Sequence, residues 1–93
     1  MPIETQSITV TPTPKNIVSG AGLISGDSYY ISNEGGVEVR IASRQNAPDL
    51  SGRVGHHKIR PNGGVIGVTV EAGYGVWVWT PFSTGEIDIS DWG

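Results

Sequence analysis

Apolar and polar residues alternate along much of this chain, in short runs broken by glycine and proline. The clearest run is Val37-Glu-Val-Arg-Ile41, in which Val37, Val39 and Ile41 share one face and Glu38 and Arg40 the other. That period of two is the pattern of a half-buried strand. Ser28–Ser32, Val65–Val70, Val76–Thr80 and Glu86–Ser90 read as further strands, the last with Ile87 and Ile89 inward. Val54–Arg60 is a weaker one, because Gly55 and two histidines interrupt it. Asn33-Glu-Gly-Gly36 has the length and residues of a tight turn, so residues 28–41 are expected to form a β-hairpin. Pro61-Asn-Gly-Gly64 and Glu71-Ala-Gly-Tyr-Gly75 punctuate the later strands in the same way.

Two segments are less regular. Asn16–Asp27 holds two short apolar pairs around a glycine turn, which fits two brief strands or one strand and a loop. Residues 42–53 are a polar loop of a length that is uncommon unless it has a task. At the N-terminus, Thr5–Val10 alternates loosely, and Thr11-Pro-Thr-Pro-Lys15 holds the chain extended and removes two donors. Residues 1–16 are therefore expected to be an extended arm that reaches a neighbour through Ile8, Val10, Pro12 and Pro14, or else a first edge strand followed by a linker. The remainder, 17–93, is one β domain. About six to eight short antiparallel strands, with turn signals every roughly eight to twelve residues, predict an all-β fold, a small β-sandwich or partly open barrel.

Composition supports that class. Fourteen glycines, six prolines and a single methionine make a poor recipe for helices. At 93 residues the chain is one domain with a small core, and with no cysteine it has neither disulfides nor a Cys-based zinc site to support it. Association with a partner or with copies of itself is the remaining source of stability. No apolar run approaches the roughly 20 residues of a membrane-spanning helix. Met-Pro-Ile-Glu-Thr-Gln lacks the basic start and apolar core of a signal peptide, so export by the general route is not expected.

The net charge of -3 argues against nucleic acid as a partner, but its distribution is uneven. Arg40, Arg44, Arg53, Lys58 and Arg60 fall within residues 40–60, and Glu71, Glu86, Asp88 and Asp91 follow. Such a molecule could attract a second copy head to tail, or both sets are ordinary solvated loop charges. Catalytic motifs are missing: there is no Cys nucleophile, no Gly-x-Ser-x-Gly elbow, no His-Glu-x-x-His and no phosphate loop. His56 and His57 are neighbours, so on a strand their rings point to opposite faces and do not converge on a metal. No enzyme activity and no cofactor are expected. Trp77 and Trp79 share one face of their strand, where they serve either as core or as contact surface, since tryptophan is favoured in both places. A sugar-stacking face could add Tyr29, Tyr30, Tyr74 and Trp92.

Taken together, Tyr29-Tyr-Ile-Ser-Asn-Glu-Gly-Gly-Val-Glu-Val-Arg40, Gly55-His56, Ile59-Arg-Pro-Asn-Gly-Gly64 and Gly75-Val-Trp-Val-Trp-Thr-Pro81 resemble a recurring pattern. It is similar to that of the short β-rich virion proteins encoded beside the capsid and tail genes of tailed bacteriophages, over roughly residues 27–90. Pro61-Asn-Gly-Gly64 departs slightly from the turn usual in those proteins. The resemblance implies a structural protein of the virion, made in the host cytoplasm. Its job would be head decoration or cement on the major capsid protein or another virion protein, as a homo-oligomer and by preference a trimer. Residues 1–16, the basic loop with Arg40, Arg44 and Arg53, and Trp77 and Trp79 would be the contacts. A tail, neck or fibre-attachment component, or a module binding carbohydrate or host surface, is the alternative.

Overall fold

The computed structural model describes residues 5–52 and 54–91. Eight strands and one short helix follow in the order β1 (Gln6–Val10), β2 (Lys15–Asn16), α1 (Ile17–Ala21), β3 (Ser28–Asn33), β4 (Val39–Arg44), β5 (His57–Ile59), β6 (Gly64–Thr69), β7 (Gly75–Trp79) and β8 (Gly85–Asp91). They build two four-stranded antiparallel sheets, ordered β1-β8-β3-β6 and β2-β7-β4-β5. The expected all-β sandwich is what forms.

The pairing has a simple rule. β1 bonds to β8, β2 to β7, β3 to β6 and β4 to β5. The chain is thus one long antiparallel ribbon whose tip is the loop between β4 and β5. Rolling that ribbon up brings β3 beside β8 and β4 beside β7, which completes both sheets. This is the jelly-roll arrangement of a two-sheet sandwich.

The rolled ribbon overturns the expected hairpin at residues 28–41. β3 and β4 lie in different sheets, and the turn between them is an arch that crosses the core. Asn33 makes the crossing. It is fully buried, its Nδ2 donates to the carbonyls of Val37 (2.7 Å) and Ile59 (2.9 Å), and its Oδ1 accepts from the Gly35 N–H (3.1 Å). A hairpin would satisfy those backbone groups across a ladder; here one side chain satisfies them. The Glu34 N–H goes to the carbonyl of Glu86 instead (3.0 Å).

The core lies between the sheets and is mostly isoleucine and valine: Ile8, Val10, Ile31, Val39, Ile41, Val76, Val78, Ile87 and Ile89, with Tyr29. These are the alternate positions of their strands, so the period-two reading of 39–41 and 87–89 holds. Val37 is only half-buried and precedes its strand. The N-terminal segment differs from a free arm. Residues 6–10 pair along their whole length with β8, and Ile8 and Val10 face the core. Burying such side chains contributes about 1.5–3 kcal/mol each, which a detached arm would forgo.

Residues 17–21 form a helical turn and a half where sequence suggested strand or loop. Asn16 caps it, its Oδ1 accepting from the Val18 N–H (3.0 Å), and Gly22 ends it in the left-handed region at φ 69°. Five residues have no stability as a free helix. What holds α1 is the burial of Ile17 and Ala21 in the core.

Candidate interaction surfaces

Both sheets turn one face outward, and the two faces are chemically opposite. In the β1-β8-β3-β6 sheet the outward residues are Ser7, Thr9, Glu86 and Asp88, then Ser28, Tyr30, Ser32, Val65 and Thr69. Hydroxyls and carboxylates interlock across the strands: Ser7 Oγ donates to Asp88 Oδ1 (2.7 Å) and Thr9 Oγ1 to Glu86 Oε1 (2.9 Å). Ser28 and Thr69 share a hydrogen bond of 2.7 Å. Strands of this sheet carry Glu86, Asp88 and Asp91 and no basic residue.

The β2-β7-β4-β5 sheet is the reverse. Its strands carry Lys15, Arg40, Arg44 and Lys58 and no acid. Arg40 and Lys58 stand opposite each other on the outer face, and Arg40 Nε also meets Glu38 Oε2 at 3.2 Å, just before β4. The sequence-level division of charge along the chain becomes a division between faces because β8 and β4 fall in different sheets.

Trp77 and Trp79 lie on the outer face of the basic sheet, opposite Ala42 and Arg40. Trp79 is nonetheless buried, because the polar loop after β4 folds back over it. The rings of His56 and Trp79 meet edge to face, with centroids 5.7 Å apart. His56 Nδ1 lies 2.8 Å from the carbonyl of Val54. Leu50, Val54, Pro12 and Pro81 line the remaining cleft beside Trp79, about 210 Å³ in volume. The loop therefore covers a second small apolar cluster outside the main core. Trp77 is half-buried, and its Nε1 donates to the carbonyl of Arg44 (3.1 Å). Gly75 makes room for this: a Cβ there would come within 2.8 Å of both Trp77 Nε1 and Asn16 Nδ2.

The expected contact residues are thus separated. Ile8, Val10 and Trp79 are buried and offer a partner no side-chain surface in the folded chain. Pro12 and Pro14 follow β1 on its way to the basic sheet, with Pro12 exposed and Pro14 half-buried. Arg40 and Arg44 remain on the basic sheet, Arg44 exposed. Arg53 lies outside the described residues. The aromatic residues of a sugar platform do not assemble. Tyr29 is in the core, Tyr30 projects from the acidic sheet, the tryptophans belong to the basic one, and Trp92 lies outside the described residues. His57 stands opposite Ile41 while His56 contacts Trp79, and no cluster of three His, Cys, Asp or Glu side chains gathers among the described residues.

Sequence reasoning did not find two features of the surface. One is the Ser/Thr–carboxylate lattice, which exists only through the β1–β8 register. The other is the edge at β6, whose inward Ile66 and Val68 are only partly covered. β5 spans three residues against six in β6, so a groove of about 620 Å³ remains between them, lined by Ile41, His57, Ile66 and Val68. No family model, curated protein or solved structure matches this chain.

Proposed function

We propose that this chain is a non-enzymatic structural protein of a phage virion, a head decoration or cement protein that binds and reinforces the capsid lattice. The observation that supports this most is the opposite charge of the two sheet faces on a slab 17 Å thick. A thin two-faced domain presents one face to a lattice and the other to a neighbour or to solvent, and electrostatic complementarity fixes which way it docks. Fold-level analogy agrees, since jelly rolls serve as viral capsid domains. That analogy alone assigns nothing, because lectin domains and cupins use the same architecture.

The test is direct. Purified protein is mixed with expanded capsid shells, sedimented, and the shells are heated. Co-sedimentation that weakens with salt, together with raised heat resistance of the shell, is expected. No binding to any shell removes the reading. Arg44→Glu, a charge reversal at an exposed position of the basic sheet, should lower shell affinity without altering folding if that face is the one that docks.

A further inference from the structure

A sandwich has four edge strands, and three of these are protected against further pairing. β2 spans two residues and β5 three, the latter bearing Lys58. β1 runs into Pro12 and Pro14, and Gln6 Nε2 is engaged by the carbonyl of Ala21 (2.9 Å). Short length, lysine and proline are the devices that keep edges from pairing. β6 has none of them. It is six residues long, Gly-Val-Ile-Gly-Val-Thr, without charge or proline, and it ends its sheet with β3 on one side only. Val65 is 59% exposed, and Ile66 and Val68 are only partly covered. A flat apolar edge of this kind offers a row of backbone donors and acceptors to another strand.

We propose that β6 pairs antiparallel with β6 of a second copy of this chain, about a two-fold axis at Ile66. The sequence is complementary to itself in this register. Ile66 meets Ile66, and Val65 meets Gly67, so the outward glycine of each strand receives a valine, while Val68 meets Gly64, against which the Arg60 backbone of its own chain is packed. On the outer face, Gly67 pairs with Tyr30 of β3, so the exposed Val65 of the second copy stands in the same cross-strand row as Tyr30 with only the glycine between them. Moving the axis to residue 67 sets glycine against glycine and Ile66 against Val68, losing the fit. Inward and outward residues stay matched only when the shift is even. The result is a continuous eight-stranded sheet with an isologous interface.

This pairing is independent of the virion reading: shell binding can fail with the dimer intact. It is also a different assembly from the trimer implied by the resemblance. Light scattering on the full chain across a concentration series should give a monomer–dimer equilibrium. Val65→Lys should weaken the dimer by roughly tenfold or more while the melting curve of the monomer is unchanged, because residue 65 is exposed in the monomer. In this cysteine-free chain, Val65→Cys should be joined into a covalent dimer by a short bismaleimide, and Ser7→Cys at the opposite edge should not. A protein that stays monomeric, a trimer, or a dimer indifferent to Val65→Lys and uncrosslinked through Val65→Cys would overturn the proposal.

Discussion

The two lateral sides of the sandwich are built on different principles. On the β1/β2 side, the second strand lasts only two residues before the chain turns into α1, which fills the space beside β7. Ile17, Ala21 and Leu23 are buried there, and Gln6 ties the first strand to the end of the helix. On the β5/β6 side no element plays that part. β5 is too short to cover β6, and Ile66 and Val68 remain half-exposed to a groove. One side is closed by a local plug and the other is left for something else to close. A small jelly roll thus completes its core where sequence supplies a cap and a buried helix, and keeps an edge where it supplies neither.

The largest expected effect tests how the open side is held at all. Asn33, next to Gly64 at the end of β3, is the buried side chain that joins β3, the approach to β4 and the end of β5. Asn33→Ala leaves the carbonyls of Val37 and Ile59 and the Gly35 N–H without that partner. At 1–3 kcal/mol for each unsatisfied buried group, partly relieved by water, a loss of about 4 kcal/mol is expected. Urea denaturation measures it. A loss under about 1 kcal/mol would show that the arch is held by its neighbours instead.

The second test compares the sides with one substitution. Ile17→Ala, at a fully buried position of the plug, should cost about 3 kcal/mol, within the range for a cavity in a packed core. Ile66→Ala, at the half-buried open side, should cost about 1 kcal/mol, since its side chain loses less contact and leaves no closed cavity. Both are read from denaturation at a concentration where the chain is monomeric. Equal losses would mean that the open side is as fully packed as the closed one.

How much of this was legible in the sequence follows from the range of each interaction. Strand positions and inward faces were readable because alternation is local: Val39, Ile41, Ile87 and Ile89 are where a period of two puts them. Sheet membership was not. Asn33-Glu-Gly-Gly36 carries turn residues suited to a hairpin or to an arch, and the choice depends on Ile59, 26 residues away, accepting the Asn33 amide. The helix is not legible in the sequence because five residues show no period and its support is tertiary. Alternation puts Trp77 and Trp79 on a common face, yet what buries Trp79 is the polar loop after β4, and nothing local in the sequence pairs the two. Of the two readings of the N-terminal segment, an arm or a first edge strand followed by a linker, residues 6–14 take the second. Pro12 and Pro14 end β1; they do not detach it, because Ile8 and Val10 are already committed to the core.

The smallest effect lies in the loop at the ribbon's tip, which leaves the open side to cover Trp79. Ser51 donates both its hydroxyl (2.7 Å) and its backbone N–H (3.0 Å) to Asp49 Oδ1. These bonds favour the ionised form and hold the carboxyl below its usual value, the hydroxyl contributing most. A depressed pKa gives stability that is present above the unfolded value and is lost as pH falls through the folded one. Because Asp49 is exposed, that contribution belongs to the turn and leaves the global unfolding curve almost unmoved. Ser51→Ala should therefore raise the Asp49 pKa toward the ordinary range in an NMR titration, while signals of the Trp79 ring stay in place. Movement of both together would mean that this turn positions the loop over Trp79, and would tie the tip of the ribbon to the packing of the basic sheet.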